Sequence, residues 1–97
     1  MSQVAEIIRQ QIGHKALYML GAYNLLSHGD ENALSFRIKG SRKVNYIKIT
    51  LTPADLYDME FGKIKKYDYD VVETHNGVYV DMLHGLIEQE TGLYTSL

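Results

Sequence analysis

The spacing of apolar residues changes period along this chain. From Gln3 to Ile12, Val4, Ile7, Ile8 and Ile12 recur at helical intervals and make a stripe. This predicts a helix with Ser2 as its cap, Glu6 near its positive end and Arg9 nearer its negative end. Gly13 stands where a helix-ending glycine belongs. From Ala33 to Phe61 the period becomes two. Leu34, Phe36 and Ile38 alternate with Ser35 and Arg37. Asn45, Ile47, Ile49 and Leu51 alternate with Tyr46, Lys48 and Thr50, and Tyr57, Met59 and Phe61 alternate with Asp58 and Glu60. Side chains on a strand point to opposite faces in turn, so this pattern predicts three strands with one buried and one wet face, as in an antiparallel sheet. The wet face carries Arg37 and Lys48 beside Asp58 and Glu60.

The remaining elements follow from shorter signals. Lys15 to Leu20 is apolar and reads as a first strand, although it also suits the start of a second helix; Gly21 interrupts it. Ala22 to Leu26 is either a helical turn or an extended continuation. Ser27 to Asn32, polar with Gly29 and Asp30 adjacent, is a turn. Lys39 to Val44 connects the first two of the three central strands, with Gly40 and Ser41 supplying the bend. Thr52 to Asp55 makes the next connection, and Thr52-Pro53 with Asp55 also reads as a helix start. Gly62 to Lys66 is a third connection. Tyr67 to Thr74 is a further strand, with Tyr67, Tyr69 and Val71 alternating with Asp68, Asp70 and Val72.

His75-Asn76-Gly77 breaks that strand, and Asn76 suits a helix cap. Val78, Met82, Leu83, Leu86 and Ile87 trace one face of a second helix to about Glu90, ended by Gly92. Gly85 inside this helix implies close packing on the sheet. Leu93, Tyr94 and Leu97 make a tail expected to dock. The order is α-β-β-β-β-β-α. It predicts one α+β domain over residues 1–97, an antiparallel sheet of about five strands with an N-terminal and a C-terminal helix packed on one face.

Composition narrows the chemistry. With no cysteine among 97 residues, disulfides and thiolate metal sites are excluded, and an intracellular setting is the natural expectation. The longest apolar run falls well short of the ~20 residues of a membrane span, and no charged segment followed by an apolar one marks a secretory leader at the start. Eight tyrosines against two phenylalanines favour half-buried positions and binding surfaces. The net charge of −2 hides a polarity. Residues 1–66 hold ten basic and six acidic groups, a net +4, while residues 67–97 hold six acidic groups and no basic one, a net −6. Such a gradient bears on partners and steering rather than on fold.

No catalytic residue is assigned. There is no nucleophile elbow, phosphate loop or dinucleotide fingerprint. His14, His28 and His75 lie in or beside turns. His84 shares a helical face with Asp81 and Glu88, a spacing that suits a metal but offers a single histidine, and a solvated helix face explains it as well. No metal and no cofactor is expected. The informative cluster is basic. In a meander the Lys39–Val44 and Gly62–Lys66 connections fall at one end of the sheet. They gather Lys39, Arg42, Lys43, Lys63, Lys65 and Lys66, six of the ten basic residues, with Tyr67 beside them. That end suits an acidic protein surface or phosphates; the bland alternative is a lysine-rich loop pair that keeps strand ends soluble.

The stretch NGVYVDMLHGLIEQETGLYTSL resembles the end of small bacteriophage and prophage accessory proteins that close on Thr-Gly-Leu-Tyr-Thr-Ser-Leu. The middle, LSFRIKGSRKVNYIKITLTPADLYDMEFGKIKKYDY, and the early IIRQQIGHKALYMLGAYN resemble the same proteins, so the likeness covers nearly the whole chain. Val80 stands where that pattern has alanine. The resemblance implies a non-enzymatic binder in the cytoplasm of a bacterial host. It would block or modulate a host protein or nucleoprotein complex, as an inhibitor of a nucleic-acid-directed defence such as an anti-CRISPR protein does. It carries over no catalytic residue and implies no membrane. Direct nucleic-acid binding through the basic loops is the alternative. Pairing between copies through edge strands or the tail stays open.

Overall fold

The computed structural model describes residues 3–95. The expected cap at Ser2 and the docking of Leu97 lie outside the described residues. Helix α1 (Gln3–Ile12) and helix α2 (His14–Met19) lead into strands β1 (Tyr23–His28), β2 (Ala33–Arg37), β3 (Tyr46–Leu51), β4 (Tyr57–Ile64) and β5 (Tyr69–Val78). A 3-10 turn at Val80–Met82 then opens helix α3 (Leu83–Thr91). The five strands form one antiparallel sheet in chain order, β1-β2-β3-β4-β5. This is the α+β architecture expected, with an N-terminal and a C-terminal helix.

The alternation in the centre of the chain decides which face is buried. Leu34 pairs with Ile49 and Phe36 with Ile47, which pairs in turn with Phe61. These residues share one core with Ala5, Ile8 and Ile12 of α1, Leu83 and Ile87 of α3, and Val78. Leaving this apolar face in water would cost roughly 25 cal/mol per Å², and α1 and α3 cover it. Helix α1 buries Ala5, Ile8 and Ile12, while Ile7 lies at its exposed margin. His84 of α3 lies with Nε2 2.6 Å from the carbonyl oxygen of Ile12, bonding α3 to the end of α1.

Several expectations need correction. Lys15–Leu20 is not a strand: it lies in α2 and its C-terminal cap. Ala16, Leu17 and Leu20 are buried while Tyr18 points to solvent, which is helical and not alternating burial. A run of six residues cannot be assigned by period alone, and the corner at Gly13 settles the matter. With φ of 90°, Gly13 donates its N–H to Arg9 and accepts from Leu17, ending one helix and starting the next. The first strand is instead β1, reached by a register shift between Tyr23 and Leu26 with Asn24 at φ 54°. Ser27–Asn32 does turn the chain, through a 3-10 turn at Gly29–Glu31.

The last strands also run further than the signals suggest. Strand β4 continues through Gly62 to Ile64, so the connection to β5 shrinks to residues 65–68. Strand β5 runs through His75-Asn76-Gly77 to Val78, so Asn76 caps no helix. Register shifts in the β4–β5 pair absorb the extra residues, Gly77 takes φ of 67°, and Asp58 Oδ1 accepts its N–H at 3.2 Å. Met82, expected on the apolar helix face, is exposed, whereas Val78 enters the core from the strand. Gly85 is not a packing glycine: a Cβ there would meet nothing within 4 Å. The tail docks through half-buried Leu93 and through Thr95, whose N–H and hydroxyl both bond Glu88 Oε2, at 2.9 and 2.8 Å, whereas Tyr94, expected to dock, is exposed. Among the described residues no helix is long and apolar enough to cross a membrane.

Candidate functional site

Chain-order pairing of the strands sends the β2–β3 and β4–β5 connections to the same end of the sheet. The first connection is held by its own residues. Gly40 takes φ of 91°, Ser41 Oγ accepts the Val44 N–H at 3.2 Å, and Ile38 and Val44 are buried on either side. The second is a tight reversal in which Lys65 N–H bonds Asp68 O at 2.7 Å, leaving Lys66 and Tyr67 at its tip.

Asn45 fastens the first connection to the end of β4, from which the second leaves. Its side-chain amide donates to Ile64 O at 2.9 Å, and its Oδ1 accepts the Ile64 N–H at 2.7 Å. Its own N–H reaches Gly62 O at 3.0 Å. Ile64 gains through one side chain both the donor and the acceptor that a neighbouring strand would supply. Lys63 Nζ adds a bond across the gap to Arg42 O at 3.1 Å.

All seven residues singled out from the sequence therefore sit on or beside these two connections. Arg42 and Lys43 are exposed. Lys39 Nζ lies 5.0 Å from the centre of the Tyr23 ring, and Lys66 Nζ lies 5.4 Å from that of Tyr67. Lys65 is paired with Asp70 at 2.7 Å. Tyr67, 87% exposed, offers nearly its whole ring to solvent. The end carries six cations tempered by Asp68 and Asp70. Field from such a cluster falls off over about 8–10 Å at physiological salt, so it favours a densely anionic surface at contact range.

The sequence reading missed the second part of this end. On the sheet face opposite the helices, the register aligns Tyr23, Arg37, Tyr46, Gly62 and Val71 in one row across all five strands. The Arg37 guanidinium lies 5.8 Å from the Tyr23 ring centre. Tyr69 lies across Gly62: a Cβ on that glycine would fall 2.2 Å from the Tyr69 hydroxyl oxygen. The Tyr69 ring meets Tyr46 edge-on at 5.3 Å and 81°, and its hydroxyl donates to Glu60 Oε2 at 2.6 Å. Partial burial, and then the Glu60 carboxylate, push the Tyr69 phenol well above its ordinary value, so it stays a donor. Tyr46, Lys48, Glu60, Ile64 and Tyr69 line a shallow depression of about 340 Å³. Lys48 is turned to Glu31 at 2.8 Å, and this bond holds the Glu31 carboxyl below its usual range and raises the Lys48 ammonium.

The histidine of interest is engaged elsewhere. His84 Nε2 bonds Ile12 O, and Glu88 accepts from Thr95. Among the described residues no three His, Asp or Glu side chains gather as a metal would require. His75 Nε2 meets Glu90 Oε2 at 2.9 Å, which ties β5 to α3. Comparison with protein-family models, with curated proteins and with solved structures finds no match for this chain.

Proposed function

We propose that this chain is a small phage-encoded binding module that blocks or modulates a host factor, gripping it through the basic end of the sheet. The carrying observation is the fastening of the first basic connection to the end of β4 by Asn45. Tying the backbone that carries Arg42 and Lys43 to the strand end that carries Lys63 lowers the ordering cost of binding. The partner on this reading is a host protein or nucleoprotein complex that presents dense negative charge. An inhibitor of a nucleic-acid-directed defence system, acting without chemistry of its own, is its concrete form.

The test is capture from bacterial host lysate by the immobilised protein. Wild type retains a discrete partner at low salt and releases it as salt rises. The triple variant Lys63→Glu, Lys65→Glu, Lys66→Glu remains folded, because Lys65 and Lys66 are exposed and Lys63, half-buried, gives up a single bond to Arg42 O, and retains nothing. Asn45→Ala keeps every charge and weakens retention by loosening the joint. Retention that the triple variant leaves intact, or no retention by wild type, overturns the reading.

A further inference from the structure

Strand β5 lies at one edge of the sheet, with β4 on one side and no strand on the other. It is the longest of the five, at ten residues, and only His75 and Val78 along it are not exposed. Proteins guard free edges by keeping them short, by covering them, or with lysine and proline. The opposite edge, β1, is short and broken by a register shift. β5 carries neither lysine nor proline, and its own register shifts leave residues 69–71 and 73–75 in regular pairing. Among the described residues eleven large apolar or aromatic side chains are exposed, and seven of them fall within residues 67–82. Scattered singly, such residues are ordinary; gathered along one edge they mark a contact surface.

Charge says what covers it. Strands paired in chain order send successive connections to alternate ends of the sheet. One end carries the basic connections. The other carries residues 29–32, 52–56 and 79–82, which hold Asp30, Glu31, Asp55 and Asp81 and no Lys or Arg. The sheet is therefore polar along its strands, and β5 runs from the basic end to the acidic one. A basic peptide laid along β5 would suit the acidic end and be repelled at the other. A second copy suits both. Joined in parallel, two copies would set like ends together; joined antiparallel, each basic end lies beside the other's acidic end, in the more stable kind of strand pair.

We infer that two copies of this chain pair through β5, antiparallel about a two-fold axis at Val72, into one continuous sheet. That register sets no carboxylate opposite another. Asp70 faces Thr74 of the second copy and Glu73 faces its Val71, whereas an axis at Asp70 or Glu73 would oppose an acid to itself. It also sets Tyr67, 87% exposed, against Gly77 of the second copy, much as Tyr69 lies across Gly62 within the chain. The β2–β3 connection, with Lys39, Arg42 and Lys43, lies strands away from the joint and stays open, so the inference goes beyond the binding reading without competing with it.

Sedimentation velocity at rising protein concentration, at low and moderate salt, tests it. Wild type passes from monomer to dimer and stops there, and the dimer weakens as salt rises. The double variant Val71→Lys, Val72→Lys stays monomeric; both side chains are exposed, at 54% and 44%, so the fold survives. A second readout uses the absence of cysteine from the chain. Paired antiparallel Cα atoms stand about 4.5–5.5 Å apart, within the reach of a disulfide. Val72→Cys therefore links to itself on mild oxidation, while Leu26→Cys, exposed on the opposite edge, does not. A wild type that stays monomeric, a dimer that survives both lysines, growth beyond two copies, or equal linking at Leu26→Cys overturns the inference. So does a monomeric wild type whose host partner is lost with the double lysine variant, since the edge would then belong to the host protein. That variant keeps every basic residue, so a partner it still captures leaves the binding reading intact whatever the oligomeric state.

Discussion

Replacing Gly62 with alanine tests the geometry of the open face without touching any charge. Gly62 has an ordinary φ, so alanine fits the backbone. Its Cβ, however, would lie 2.2 to 2.4 Å from three atoms of the Tyr69 ring. The ring stands at the end of a flexible side chain and can swing into solvent. The cost is then what Tyr69 gives up. That is one hydrogen bond, worth about 1 kcal/mol net, and one edge-on aromatic contact, worth about 0.5–1.5 kcal/mol. Alanine returns about 0.5–1 kcal/mol, because glycine loses more backbone freedom on folding. Gly62→Ala should therefore destabilise by about 1 kcal/mol, a fall in Tm of roughly 4–8 °C for a domain of this size. In a Tyr69→Ala background the clash is absent and only the backbone gain remains, so the same substitution becomes stabilising. Urea unfolding of the four proteins in this cycle measures a coupling of about 2 kcal/mol between the positions. Equal destabilisation in both backgrounds would refute the reasoning, since the obstruction would then lie in the backbone and not in the tyrosine.

Two further outcomes follow from the helical layer. Gly85 sits inside α3 with open space around it, so Gly85→Ala should stabilise by about 0.5–1 kcal/mol; a thermal melt that falls would reveal a contact the geometry does not contain. The Thr95 N–H, then its hydroxyl, hold the Glu88 carboxyl below its usual range, with His84 adding a smaller pull. A lowered folded-state value means that the contribution is fully present above the ordinary carboxylate value and is lost as pH falls through the lowered one. The Thr95 amide resonance should therefore shift on acidification together with the Glu88 carboxyl, and Glu88→Gln should abolish that shift. A Thr95 amide indifferent to the Glu88 titration would argue against the docking.

What was legible in the sequence was whatever had a strong local period. Leu34, Phe36, Ile47, Ile49, Met59 and Phe61 alternate cleanly, and all are buried as that alternation requires. The basic end was legible too, because a meander fixes which connections share an end. Elements set by single backbone angles were not. The corner at Gly13 turns a strand-like apolar run into α2, and Gly77 lets β5 pass a sequence that reads as a break. The placement of Tyr69 over Gly62 was hidden for a related reason. It depends on register shifts in the β4–β5 pair that set Val71, and not Val72, against Gly62, and alternation counted along one strand cannot place a shift in its neighbour.

The bond between His84 and Ile12 O joins residues 72 positions apart. It sets a timetable as well as a contact. Each hairpin of the sheet closes between neighbours in the chain and needs only a short loop to form. The roof above it needs helices that lie on either side of the sheet in the chain, and closing long loops is the slow part of folding. During synthesis α1 emerges before the sheet and waits for a partner that emerges after it. Until then this face of the sheet lacks part of its cover, and the chain is most exposed to proteases and to wrong partners in the interval before α3 is made.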